Sequence, residues 1–203
     1  MTNNNENDDK KLLEIFHKIA EEGIYHAIDG LSQMVGQELK ASPPEVAFIN
    51  LMTVPNLIGG PETEVVGIYL RAEGQMAGQF MLILTHEKAL QMVDIVMGDP
   101  PGTGKELDSM GRSALAEMGN LSGAYFLNTI ARMTKLDTRP TPPAVMIDYA
   151  GAILNVVVAT SAQEVERVLM IVTNISHEEN EVQASFWYIP DATAMQELAK
   201  ITL

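Results

Sequence analysis

Two stretches carry residue types that could do chemistry. The first, "GDPPGTGKELDS" at residues 98–109, approaches a phosphate-binding loop. In such a loop glycines let backbone N–H groups cradle phosphates, a lysine reaches the outer phosphates, and a hydroxyl ligates Mg²⁺. Gly104 and Lys105 fit, but Asp99 replaces the first glycine and Glu106 the hydroxyl, so negative charge stands where phosphates would sit. The preceding "HEKALQMVDIVMG" has the helical spacing Leu90, Val93, Met97 in place of the buried strand such a loop follows. Nucleotide binding is not expected; the T-x-x-E spacing of Thr103 and Glu106 predicts a capping box that starts a helix. That helix carries the second stretch. Ser113, Glu117 and Asn120 stand at i, i+4 and i+7, within about 60° of one another on one face. Leu115, Met118, Phe126 and Met133 mark the opposite, core face, and Ala124 and Ala131 continue the outer one with side chains small enough for a second surface to approach. By spacing alone, this face is either a site or a polar surface that meets water. Gly119 and Gly123 each cost about 1 kcal/mol relative to Ala in a helix, which predicts a need for their small size or for a bend.

The elements that position these residues come in two copies. The Pro-Pro-x-Val cores of "ASPPEVAFI" and "PTPPAVMID" lie 99 residues apart (143 − 44), as do the helical segments before them. Each half reads as a long amphipathic helix (about 9–36 and 104–135), a strand after the proline pair, a strand hairpin, and a closing helix. In the first half the hairpin turns around Glu73-Gly74 and the helix covers 87–97; in the second, two strands flank "HEENE" and a helix starts at about 191. Residues 149–164 have no clear counterpart and read as a short helix or a strand crossing over. "AVMIDY" is an apolar strand, and Trp187 and Tyr188 have the character of strand residues packed on a sheet. The expected fold is α/β, a pseudo-two-fold repeat of helix-strand-strand-strand-helix whose largely antiparallel sheet is covered by long helices. Residues 1–8 read as a flexible acidic tail and 9–203 as a single domain of two pseudo-repeats, about 9–98 and 104–203.

Composition narrows the partners. With 203 residues, 46% of them hydrophobic, the chain can bury a sizeable core. A net charge of -14 argues against nucleic acid and against anionic membrane surfaces. No apolar run is long enough to span a membrane. There is no cysteine, which excludes thiol chemistry and suits a cytoplasmic protein. His17, His26, His86 and His177 lack ligand spacing, so no metal site and no cofactor of its own are expected. The thirteen methionines read as adaptable core filling.

The segment "SALAEMGNLSGAYF", with Pro143 following Asn120 at a distance of 23 positions, resembles the signature of the CheC/CheX/FliY chemotaxis phosphatases. The repeated layout and the "LSQMVG" that ends the first long helix are similar to CheC, so the resemblance covers nearly the whole chain after the tail. It implies a phosphatase that hydrolyses the aspartyl phosphate of a CheY-type response regulator, which brings its own nucleophile and Mg²⁺. Asn120 is then the residue that positions water and Glu117 the anchor for a lysine of the partner. Ser113 would either hydrogen-bond at the rim or back-bond to its own helix, and Pro143 would shape the strand entrance. CheC relatives also bind the receptor deamidase CheD, a second implied partner. At the equivalent positions the first half has Glu14, Lys18 and Glu21, with Pro44 kept. Lys18 would meet the partner's lysine with like charge, and Glu21 would push a carboxylate toward a phosphoryl group. Glu14 and Lys18 are expected to pair with each other at i,i+4. One working site, in the second half, follows. The alternative is a catalytically weak CheC-like binding or adaptor protein acting through CheD or the regulator. A flagellar-switch role is less expected, since no appended domain follows residue 203 and no partner-binding tail precedes the first helix.

Overall fold

A computed structural model of the chain describes residues 2–160, 167–178 and 180–201. Strand alternation sets the layers. Successive side chains of a strand point to opposite faces, so in β3 (Glu64–Gly74) Val66, Ile68 and Leu70 enter one core and Val65 the other. In β8 (Asn180–Pro190) Phe186 and Tyr188 enter the first core, Trp187 and Ile189 the second. A sheet apolar on both faces must be covered on both. The larger core is closed by α1 (Thr2–Val35), α3 (His86–Met97), α4 (Ser109–Thr134) and α6 (Ala192–Lys200). The smaller is closed by α5 (Ala150–Thr160) and the short α2 (Val54–Leu57) with the 3-10 turn before it.

All pairings in the eight-stranded sheet are antiparallel. With β1 (Lys40–Ala41), β4 (Gly78–Thr85), β5 (Thr138–Pro140) and β7 (Arg167–His177), the order is β1-β7-β8-β4-β3-β5. In addition β2 (Glu45–Asn50) pairs with β7, and β6 (Ala144–Tyr149) with β3. The two-fold pattern is visible in the register: Val46 stands opposite Ile171, and Val145, 99 residues after Val46, opposite Ile68. The strand after each proline pair therefore joins the hairpin of the other half, and β4 and β8 meet at the centre.

The long helices α1 and α4 cross on this sheet, running in opposite directions: Arg132 pairs with Glu22, while Tyr125 lies over Gly30. A Cβ on Gly30 would come within 2.3 Å of the Tyr125 ring, so the glycine sets the approach of the two helices. Beneath them Tyr188 is buried and its hydroxyl donates to the Met76 carbonyl at 2.9 Å. Burial, reinforced by Asp191, pushes the phenol far above its ordinary range, which keeps it a neutral donor.

Several boundaries differ from expectation. Helix α1 begins at Thr2, so from residue 2 onward the segment read as a flexible tail lies in the helical run. Its polar residues can extend a ladder that the apolar face from Leu12 anchors. Helix α4 begins at Ser109 and not near 104. Residues 150–160 form helix α5, and the short helix α2 occupies the corresponding place in the first half. Residues 161–164 and the Glu179 of "HEENE" lie outside the described residues.

Candidate active site

Helix α4 is fixed at its start by side chains that the motif reading did not identify. Asp108 is the N-cap, its carboxylate accepting from the Gly111 amide at 2.8 Å. Leu107 before it is buried, and its carbonyl accepts from Arg112 Nε at 3.0 Å. The expected Thr103/Glu106 box is not formed: the Thr103 hydroxyl donates to the Pro100 carbonyl at 2.6 Å instead. The glycine-rich loop is organised by Asp94 of α3, which is 3% exposed and accepts from Gly102 N at 2.7 Å and Gly104 N at 2.8 Å. Lys105 folds back to donate to the Gly102 carbonyl at 2.7 Å. The amides and the lysine that a phosphate would need are thus engaged within the protein, and the loop serves as the linker between the halves.

The glycines of α4 seat it on the sheet. A Cβ on Gly119 would lie 2.2 Å from Ile68 Cγ2, and one on Gly123 2.4 Å from Leu70 Cδ2. Both are close approaches to β3 and introduce no break, since α4 is continuous from Ser109 to Thr134. With that flank locked down, the stripe beside it projects. Ser113 and Glu117 are exposed and Asn120 is half-buried. Among the described residues none of the three side chains has a hydrogen-bond or ion-pair partner, and Ser113 makes no bond back to its own helix, unlike Thr129 and Thr134, whose hydroxyls donate to carbonyls four residues earlier. Ala124 and Ala131, farther along, are half-buried.

Pro143 is half-buried at the entrance of β6. The entrance is held by a reciprocal pair: Thr141 N donates to the Arg71 carbonyl at 2.8 Å, and Arg71 N donates to Thr141 Oγ1 at 3.0 Å. Ser42 does the same with Asn174 in the first half, at 2.9 and 3.0 Å, and Pro44 there is buried. The scaffold repeats while the stripe it presents does not.

On α1, Glu14, Lys18 and Glu21 are all exposed. The expected Glu14–Lys18 pair is absent among the described residues; Glu21 instead lies 3.5 Å from His17. An exposed i,i+4 pair contributes only about 0.3–0.5 kcal/mol, too little to hold two solvated side chains together. Tyr25, at the place of Ala124 (124 − 99), is 72% exposed and stands out from the helix. Among the described residues no three or more His, Asp or Glu side chains gather as a metal site would require. No described helix is long and apolar enough to cross a membrane.

Comparison with known proteins finds similarity on this part of the chain and along most of its length. The CheC-like family profile matches residues 110–147, from the first turn of α4 to β6. The CheY-P phosphatase CheC of Bacillus subtilis is 26% identical over 191 residues, covering 92% of this chain and 91% of that protein. Among solved structures, Thermotoga maritima FliY superposes with a TM-score of 0.75 at 16% identity, covering 92% of this chain and 93% of that one. The FliM middle domain of H. pylori gives 0.69 at 15% identity, covering 95% and 99%. The chain resembles the CheC-like proteins in sequence, and its fold is shared with FliY and the FliM middle domain.

Proposed function

We propose, from this resemblance to the CheC-like proteins, that the chain is a phosphatase acting on the aspartyl phosphate of a CheY-type response regulator, with one active site, on α4. The observation that carries the reading is where the family similarity falls: residues 110–147 contain Ser113, Glu117, Asn120 and Pro143 together, on a face whose polar groups have no partner among the described residues.

In this reading the regulator supplies the phosphorylated aspartate and its own Mg²⁺. A water oxygen attacks phosphorus, the bond between phosphorus and the aspartyl oxygen breaks, and phosphate and a free carboxylate are released. Asn120 offers a neutral amide that both donates and accepts, which suits holding that water in line without adding charge. Glu117, three residues earlier, anchors a lysine of the regulator and fixes the register of the two proteins. Ser113 meets the partner at the rim. Pro143 shapes the β6 entrance and touches no substrate. The site of action is the cytoplasm, where such a regulator works.

The test is the rate of dephosphorylation of a phosphorylated CheY-type regulator by the wild type, Asn120→Ala and Glu21→Ala. Asn120→Ala is expected to lower kcat by about 10²- to 10³-fold, the cost of one positioning or oxyanion donor. Glu21→Ala is expected to leave the rate unchanged. The absence of the Glu–Asn pair from α1 favours a second reading, a CheC-like binding protein acting through CheD or the regulator. Regulator binding by the wild type without turnover beyond spontaneous decay would select it.

A further inference from the structure

Met110 stands in the first turn of α4 and is 62% exposed. At about 100° per residue it lies on the same outward stripe as Ser113, Glu117 and Asn120, one turn before Ser113 and two before Glu117. Most of the described methionines serve as packing: Met76 and Met92, for example, are fully buried, and Met118, two turns along the same helix, points into the core. Met34, Met52 and Met97 are exposed elsewhere, but Met110 alone of the exposed four stands on α4, beside a row of polar side chains that have no partner among the described residues.

The segment that carries Met110 is held at several points. The Asp108 cap, the buried Leu107 and the Arg112 bond to the Leu107 carbonyl fix the turn on both sides of it, and Gly111 next to it is itself buried. The side chain therefore projects from a pre-organised backbone, and burying it costs mainly its own rotamer freedom. The equivalent position of the first repeat (110 − 99) is Lys11. At this position the second half has an apolar projection beside its Ser-Glu-Asn stripe, whereas the first half has a charged residue and places its own exposed aromatic, Tyr25, at the position equivalent to Ala124.

We infer that Met110 is the apolar anchor of the candidate site: it inserts into an apolar depression beside the phospho-acceptor pocket of the response regulator and so supplies affinity, while Glu117 and Asn120 supply register and chemistry. The inference rests on the proposed function and adds a specificity-determining contact to it. Truncating an apolar anchor that is buried on docking costs affinity without touching the reacting atoms. A long, adaptable thioether suits a partner surface that is not perfectly matched in shape.

The experiment compares wild type, Met110→Ala, Met110→Leu and Asn120→Ala in two measurements: steady-state dephosphorylation of the phosphorylated regulator, and the Kd for the same regulator carrying a stable phosphoryl mimic. Met110→Ala is expected to raise KM and Kd about five- to tenfold, as loss of a buried apolar side chain does, with kcat within twofold of wild type. Met110→Leu, which keeps apolar bulk, should stay within twofold on both. Asn120→Ala should show the opposite pattern, with kcat lost and Kd nearly kept. Equal KM and Kd for wild type and Met110→Ala would overturn the anchor while leaving the phosphatase reading in place, and so would Met110→Leu as impaired as Met110→Ala. A wild type that neither binds nor dephosphorylates the regulator overturns both. Thermal melting of each variant accompanies the assays. An exposed side chain should leave it unchanged, so weakened binding by a normally folded Met110→Ala supports the anchor.

Discussion

At the scale of single residues, the polar stripe of α4 is set by what lies beneath it. Asn120 is half-buried because its neighbour Gly119 brings the helix backbone down onto Ile68. Gly119→Ala tests this directly, because two effects oppose each other. Alanine gains about 1 kcal/mol of helix propensity over glycine, but its Cβ would sit 2.2 Å from a methyl of Ile68, a side chain 1% exposed. A buried β-branched residue has nowhere to turn, and overpacking of this kind costs about 1–3 kcal/mol. The clash should win, with a net loss of up to about 2 kcal/mol in denaturant unfolding. Gly111→Ala is the control of opposite sign, since its Cβ would meet Val93 at an ordinary 3.5 Å; it should be neutral or gain up to about 1 kcal/mol. If both variants moved the midpoint in the same direction, the close seating of α4 would not be what the glycines are for. The grouping of Ser113, Glu117 and Asn120 on one face could be read from spacing because helical periodicity is local. The sequence also raised the question of why two glycines interrupt a helix. The answer lay out of reach, because Ile68 and Leu70 are about fifty residues earlier and only the pairing of the sheet brings them under α4.

At the scale of elements, the linker shows why local motifs misled. Thr103 and Glu106 have the spacing of a capping box, yet the loop's amides go to Asp94, a residue of the preceding helix, and α4 starts five residues later under Asp108. A local cap loses when a buried carboxylate offers charge-assisted bonds to two amides, each worth about 1.5–3 kcal/mol. The same ranking explains the nucleotide-like appearance: glycines that free amides for a phosphate also free them for an internal aspartate. Helix α5 was ambiguous for a different reason, since "AILNVVVAT" combines a β-branched run with no polar face and so gives no period to read. Asp94→Ala is therefore expected to cost about 3–6 kcal/mol, the loss of both bonds from a buried site. Amide hydrogen exchange of Gly102 and Gly104 should accelerate by a similar factor, while Asp94→Asn, which keeps one acceptor, should fall between. Unchanged protection of those two amides in Asp94→Ala would show that the loop holds itself without the carboxylate.

At the scale of the whole molecule, the repeat does not divide the protein into two independent units. Strand β2 of the first half completes the sheet on β7, β6 of the second completes it on β3, and the central pair β4–β8 joins one hairpin to the other. The smaller core draws Leu51, Val54 and Val65 from the first half and Ile153, Val168 and Trp187 from the second. Neither half can satisfy its strand edges or cover its apolar surface alone, and an unpaired edge carries a row of free N–H and C=O groups. Unfolding should therefore be a single transition, with Trp187 fluorescence and far-ultraviolet circular dichroism coinciding across a denaturant titration. A chain ending at residue 98 should show no cooperative transition by itself and should gain one on mixing with a chain that starts at residue 99. The interlock also accounts for why both halves share the scaffold while only one presents the Ser-Glu-Asn stripe: Pro44, the Ser42–Asn174 pair and the apolar face of α1 are needed to fold the half that carries Asn120. Two separated transitions in the titration, or cooperative melting of the first fragment alone, would show that the halves are separable and that the α1 copy is kept for some other reason.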